Sequence, residues 1–210
     1  MANKTTVALT EKQYEEIINT MKTGDAGFRT NKRIATALML EANLGLRIED
    51  ILRLRLCDII SDGDRYRLDL TEGKTKKKRV FTVPLPVYQY IRLYAVDNGI
   101  KENERLFPIQ ERTVQKYLKK VVDYLDYKNI GTHSFRKFFA TEIYKDNDYN
   151  IALVQQLLQH SSVVITQRYI GITSEMQENH QNFLLHNFFL SWLNDPPNLE
   201  GRICCFVTGA

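Results

Sequence analysis

Cysteine is scarce: Cys57, Cys204 and Cys205 are the only three in 210 residues. An odd number argues against the disulfide framework of a secreted protein, and the spacing fits no zinc pattern. No apolar run approaches the roughly 20 residues that span a bilayer, and the start, "MANKTTVALTEKQYEE", lacks the apolar middle of a secretory signal. A reducing cytoplasm is the simplest compartment, and no membrane is implied. There is no glycine-rich loop ending in Lys-Ser/Thr and no convincing metal-ligand spacing, so nothing points to nucleotide hydrolysis or a bound metal. Internal repeats and low-complexity segments are absent too.

What remains is an ordinary globular composition, 43% hydrophobic and 26% charged, with a net charge of +4. The distribution of charge is more informative than its sum. "GKTKKKR", residues 73 to 79, places five cations in seven positions, and "QKYLKKVVDYLDYK", residues 115 to 128, interleaves Lys with Tyr. Both suit phosphate neutralisation, although a solvated hairpin tip and a solvated helix face would look the same.

Local patterns predict a mainly helical chain with one small antiparallel sheet, an α+β fold. Thr10 with Gln13 forms a capping box ahead of "EKQYEEIINTM". "NKRIATALMLEANLG" is helical and stops at Gly45. "RIEDILRLRLCDI" reads as another helix, with Ile48, Ile51, Leu52 and Leu56 on one face. "RYRLDL" and "RVFTVPL" then read as strands around a basic tip. Pro84 and Pro86 end the sheet and open the helix "VYQYIRLYAVDNG", which Gly99 closes. Thr113 is the expected cap of "VQKYLKKVVDYL"; "THSFRKFFATEIYKDN" and "IALVQQLLQ" follow as helices, and Ser174 to about Leu193 as another. The aromatic run in "FRKFFATEIY" is expected in the core. Residues 191 to 210 are expected to be a disordered tail after one domain covering residues 1 to 190.

Six polar side chains interrupt the apolar patterns: Arg47, Lys74, His133, Arg136, His160 and Tyr169. Taken singly, each has an ordinary use. Arg47 suits a helix C-terminus, His133 a helix start, His160 a satisfied core position, and Tyr169 is one of 11 tyrosines. Taken together they fit phosphodiester chemistry. Two arginines can fork around non-bridging oxygens, a phenol can form a covalent intermediate, a histidine can take a proton, and a lysine can protonate a leaving oxygen.

The stretches "GLRIEDILRL", "GKTKKKRVFTVPL", "HSFR" and "LLQHSSVVITQRYIGIT" resemble, in order and spacing, the tyrosine recombinases or phage integrases, and the resemblance runs from about Leu9 to about Leu185. It implies that fold and DNA strand breaking and rejoining through a 3′-phosphotyrosyl intermediate, with no cofactor. By the same resemblance Arg47, Arg136 and His160 hold the scissile phosphate. His133 accepts the Tyr169 proton, Lys74 protonates the departing 5′ oxygen, and Tyr169 attacks. Lys76 is a rival for Lys74, favoured by counting back from Pro84, whereas the local Lys-Thr pair favours Lys74. Lys76, Lys77, Lys78, Arg79, Lys116, Lys119 and Lys120 are candidate DNA contacts. The implied partners are double-stranded DNA and, on it, further copies of the chain as a tetramer. The family usually has Gly where this chain has Gln159, and an ordinary backbone conformation is expected for a Gln there. Only about ten residues precede the first helix, which suits a short single-domain recombinase or a catalytic fragment of a longer integrase. The competing functions are topoisomerase-like relaxation and a non-catalytic DNA-binding remnant.

Overall fold

The computed structural model describes residues 6–24, 28–73, 76 and 78–171, with Arg79 described in its backbone alone. The helix expected from Ser174 and the tail from 191 to 210 lie outside the described residues.

The first two helices form as their caps dictate. Thr10 and Gln13 exchange hydrogen bonds at 3.2 and 3.0 Å and start α1, Glu11–Thr23. The Asn31 carboxamide oxygen accepts from the Ile34 amide at 3.1 Å and starts α2, Lys32–Leu44. α2 is buried along most of its length, and Gly45 ends it in the left-handed conformation (φ 58°). A side chain at Gly45 would also strike the Phe139 ring, 2.3 Å from the position of its Cβ. Two independent reasons therefore place glycine at this joint.

The helix expected across residues 47 to 59 is only one turn long: α3 is Ile48–Ile51. The chain then leaves helical geometry because its backbone is claimed from elsewhere. Leu54 O accepts from Leu106 N at 2.9 Å, and Arg55 bridges Arg105. Ile48, Ile51, Leu52 and Leu54 are all buried, so the apolar spacing reports the core without continuing the helix. Leu56–Asp58 forms a 3-10 turn, and β1, Ile59–Asp62, adds a strand that periodicity did not announce.

β1 pairs antiparallel with β2, Arg65–Thr71, which pairs antiparallel with β3, Lys78–Val83, in the order β1-β2-β3. Pro84 and Pro86 sit at the start of α4, Leu85–Asp97, as expected. α5, Glu111–Tyr124, begins two residues before Thr113, with Gln110 as its N-cap, so Thr113 is not the cap. α6, Thr132–Asp146, α7, Ile151–Leu158, and α8, Val163–Ile170, complete the described fold. Asn150 caps α7, and Ser162 caps α8 through the Ile165 amide at 3.3 Å. Phe135 is fully buried, and Phe138 stacks on Tyr14 with ring centres 4.9 Å apart, so the aromatic run does belong to the core. Among the described residues no helix is long and apolar enough to cross a membrane.

Candidate active site

Arg136 is the hub. It lies in the second turn of α6 and is only 2% exposed, yet neither arm of its guanidinium lacks a purpose. One nitrogen donates to Gly45 O at 2.7 Å and the other to Leu158 O at 3.1 Å. These carbonyls belong to the C-terminal ends of α2 and α7, where unsatisfied backbone oxygens accumulate partial negative charge. One buried cation thus fastens three helices. Burial lowers its pKa from the ordinary arginine value, and the Arg47 charge pushes the same way, while Tyr169 and the carboxylates of Glu72 and Glu41 oppose both.

Arg47 follows the Gly45 joint by two residues and occupies the N-cap of α3. Its guanidinium pairs with Glu72, whose carboxylate is wholly buried, whereas 19% of the Arg47 side chain remains exposed. Glu72 directly follows β2, at the start of the hairpin loop. Asp50 makes a second connection to that loop, accepting the Gly73 amide at 2.8 Å. The end of β2 is therefore tied twice to the segment that carries Arg47.

His160 follows α7. Its backbone amide donates to Gln155 O at 3.1 Å, and the Gln155 carboxamide donates back to His160 O at 3.2 Å. Its Nδ1 lies 3.1 Å from the hydroxyl of Thr166, a buried residue of α8. Burial and then the charges of Arg136 and Arg47 press its pKa down to about 4, so the ring is neutral near pH 7. Tyr169, one turn further along α8, meets the His160 ring edge-on with centres 5.0 Å apart. The phenol hydroxyl is shielded from water and stands beside the Arg136 guanidinium. Burial raises its pKa to about 12, against the pull of Arg136. The Lys137 ammonium stands 5.3 Å from the centre of the Tyr169 ring while donating to Thr6 O at 2.7 Å.

The turn before His160 departs from expectation. Gln159 ends α7 in the left-handed conformation, φ 55° and ψ 37°, and does not adopt an ordinary one. That geometry costs a residue with a Cβ about 1–2 kcal/mol. It is retained because the chain must reverse sharply here to bring His160 back against Gln155 and onto Thr166 in α8.

Arg47, Arg136, His160 and Tyr169 thus come together from four separate elements. His133 is exposed in the first turn of α6, one turn before Arg136. Lys74 and Lys77 lie outside the described residues, as does the side chain of Arg79. Lys76 is exposed with a left-handed backbone (φ 58°), and its amide donates to Glu72 O at 3.1 Å. Lys78 is exposed on β3 and pairs with Asp69 at 3.0 Å. On α5, Lys116 and Lys120 are exposed, and Lys119 pairs with Asp123 at 2.8 Å. The positions that sequence reasoning missed are Glu72, Asp50, Thr166 and Lys137. Charged or hydroxyl-bearing residues inside apolar stretches were the available signal. Ser162 caps α8, whereas the Thr166 hydroxyl meets the His160 ring.

The family model described as "Phage integrase family" matches residues 8–176. The probable integrase/recombinase YoeC of Bacillus subtilis is 37% identical over 152 residues, which is 69% of this chain and 81% of that one. The tyrosine recombinase XerA of Thermococcus onnurineus is 29% identical over 157 residues, covering 70% of this chain and 53% of that one. The chain therefore spans most of the first relative and about half of the second. Among solved structures, the XerH site-specific recombinase bound to palindromic difH substrate superposes with a TM-score of 0.63 at 18% identity, covering 85% of this chain and 53% of that one. The catalytic domain of bacteriophage HP1 integrase superposes at 0.58 and 19% identity, covering 85% and 95%. At such identities the structural likenesses establish the fold. The chain belongs to the phage integrase family, the tyrosine recombinases, and its fold is that of their catalytic domains.

Proposed function

We propose that this chain cuts and rejoins DNA strands as a site-specific recombinase, with Tyr169 as nucleophile. The single observation that carries this is the Arg136 hub. A buried guanidinium, held rigid by two backbone carbonyls, faces a second arginine, a neutral histidine and a water-shielded phenol. A pentacoordinate phosphate carries extra negative charge on its non-bridging oxygens, and fixed cations in a desolvated site stabilise that charge most strongly.

In the proposed step the Tyr169 oxygen forms a bond to phosphorus as the bond from phosphorus to the 5′ oxygen breaks. His133 accepts the phenol proton, and Lys74 gives a proton to the departing oxygen. The DNA 3′ end stays on Tyr169 until the 5′ hydroxyl of a partner strand reverses the step. His160, neutral in the free site, gains basicity when the phosphate arrives, because a nearby negative charge favours imidazolium. Its role is to hold a phosphate oxygen with the two arginines. Burial keeps Tyr169 protonated until the phosphate is present, which restrains untimely attack.

Double-stranded DNA is the proposed substrate. Lys76, Lys77, Lys78, Arg79, Lys116, Lys119 and Lys120 are proposed as backbone contacts, which position a protein on a duplex without reading its sequence. Assembly as a tetramer on DNA, action in the cytoplasm, and a division into a catalytic domain to residue 190 and a tail from 191 belong to the same proposal. The test is covalent trapping on nicked duplexes from which the released strand diffuses away. The full chain forms an adduct stable to denaturation, and Tyr169→Phe forms none. An adduct that persists in Tyr169→Phe would remove the nucleophile from the account.

A further inference from the structure

We propose that Gln159 is a positioning residue that latches the β2–β3 hairpin to the turn presenting His160. It thereby fixes the start of β3, from which the hairpin loop departs, against the turn that carries a phosphate-binding side chain. The inference rests on the function proposed above.

Gln159 closes α7 with a left-handed backbone, a conformation that glycine would adopt with no Cβ in the way. What glycine lacks is reach. The Gln159 carboxamide extends across to the sheet, where its Nε2 donates to Lys78 O at 3.2 Å, joining residues 81 positions apart. β3 is an edge strand of the described sheet, so a carbonyl on its outer side is open to a side-chain donor. The carboxamide oxygen of Gln159 is meanwhile shielded from water.

Both ends of the latch are themselves secured. Lys78 pairs back to Asp69 of β2 at 3.0 Å. The His160 turn is clamped to α7 by its two exchanges with Gln155. Lys78, Ala152, Gln155, Gln156, Gln159 and His160 line one open depression of about 640 Å³, which brings β3 and the His160 turn to a common surface. In the chain Lys74 precedes Lys78 by four positions. Fixing β3 at Lys78 fixes the point from which the lysine-bearing loop departs. Loss of the latch should therefore slow departure of the 5′ oxygen, which needs the lysine proton, and spare the hold of Arg47 and Arg136 on the phosphate.

The test uses the full chain and a duplex recovered as a covalent adduct from a library of nicked duplexes. That duplex is remade with either oxygen or sulfur at the 5′ bridging position of the scissile phosphate. A thiolate leaves without being protonated, so the sulfur substrate bypasses the lysine. Three variants separate reach from backbone. Gln159→Glu keeps the length and loses the donor, Gln159→Asn tolerates the turn and falls short, and Gln159→Gly relaxes the turn and has no side chain. All three should form adduct about tenfold more slowly on the oxygen substrate, the size of one lost hydrogen bond in a transition state. On the sulfur substrate they should stay within about twofold of the unchanged protein. Unaltered rates on the oxygen substrate, or equal slowing on both substrates, would overturn the latch while leaving the function standing. Failure of the unchanged protein to give any adduct would overturn the function, and the latch with it.

Discussion

Two groups of cations serve this molecule, and they are built in opposite ways. Arg136 is buried at the meeting of α2, α6 and α7, with its hydrogen bonds satisfied by Gly45 and Leu158 before any ligand arrives. Lys76 and Lys78 of the hairpin are exposed, and the Lys78 ammonium makes a surface ion pair with Asp69. Removing a charge from the first group strips two buried carbonyls of their donor and leaves a void. Removing one from the second exchanges a hydrated side chain for a smaller one. The difference teaches how work is divided: the joint supplies a rigid, preorganised field at one phosphate, and the hairpin supplies adjustable attraction along many.

The joint should break hardest. Arg136→Ala is expected to lower the single-turnover rate of adduct formation about 100- to 1000-fold. It should also lower unfolding free energy by about 3 kcal/mol in urea titration, because buried polar groups lose a charged partner. Adduct formation within tenfold of the unchanged protein would contradict the hub. Arg47→Ala should match it in rate while losing less stability, about 1–2 kcal/mol, since part of the Arg47 side chain is already in water. A double-mutant cycle with Glu72→Gln should show the two positions coupled, and strictly additive losses would dissolve the pair.

His160 offers a pH test of the same joint. Its folded pKa, about 4, lies below the unfolded value of 6.5, so between these values the unfolded chain holds a proton that the folded chain does not. Stability should therefore rise with pH from about 4 to about 6.5 and level off above, with a slope from this group of at most about 1.4 kcal/mol per pH unit. Denaturant titrations at several pH values should show that slope, and His160→Asn should remove its share. An unchanged profile in the variant would mean that His160 is not buried against the arginines. The smallest effects should come from the hairpin. Lys76→Ala and Lys78→Ala should each alter stability by less than about 0.5 kcal/mol. Each should make DNA binding less salt-dependent, lowering the slope of log K against log salt by about one. A large loss of stability in either would erase the contrast between the two regions.

Local signals were legible wherever local chemistry decides. Thr10 with Gln13 foretold α1, Gly45 foretold the end of α2, and alternation around a basic tip foretold β2 and β3. The failures came where distant backbone intervened. The helix expected across residues 47 to 59 shrinks to Ile48–Ile51 because residues 105 and 106 capture the backbone of Leu54 and Arg55. β1, which pairs with β2 across a tight turn, was missed as well, and the cap of α5 was placed three residues late. At the site, ordered motifs pointed to Arg47, Arg136, His160 and Tyr169. They could not announce that Glu72 is buried against Arg47, or that Thr166 meets His160 and Lys137 stands over Tyr169. Those contacts depend on burial, which no single stretch encodes. Gln159 was recognised as a departure from the family pattern, but its left-handed backbone and its bond to Lys78 became visible only in three dimensions.

The central claim is that Tyr169 is the side chain that becomes joined to DNA, and mapping the joined residue tests it most directly. A trapped adduct is digested with nuclease and trypsin, and the nucleotide-bearing peptide is sequenced by mass spectrometry. Because trypsin cleaves after Arg168, the account predicts a peptide with the nucleotide at Tyr169, at or one missed cleavage from its start. A nucleotide on any other residue, Tyr144 or Ser161 among them, would contradict it.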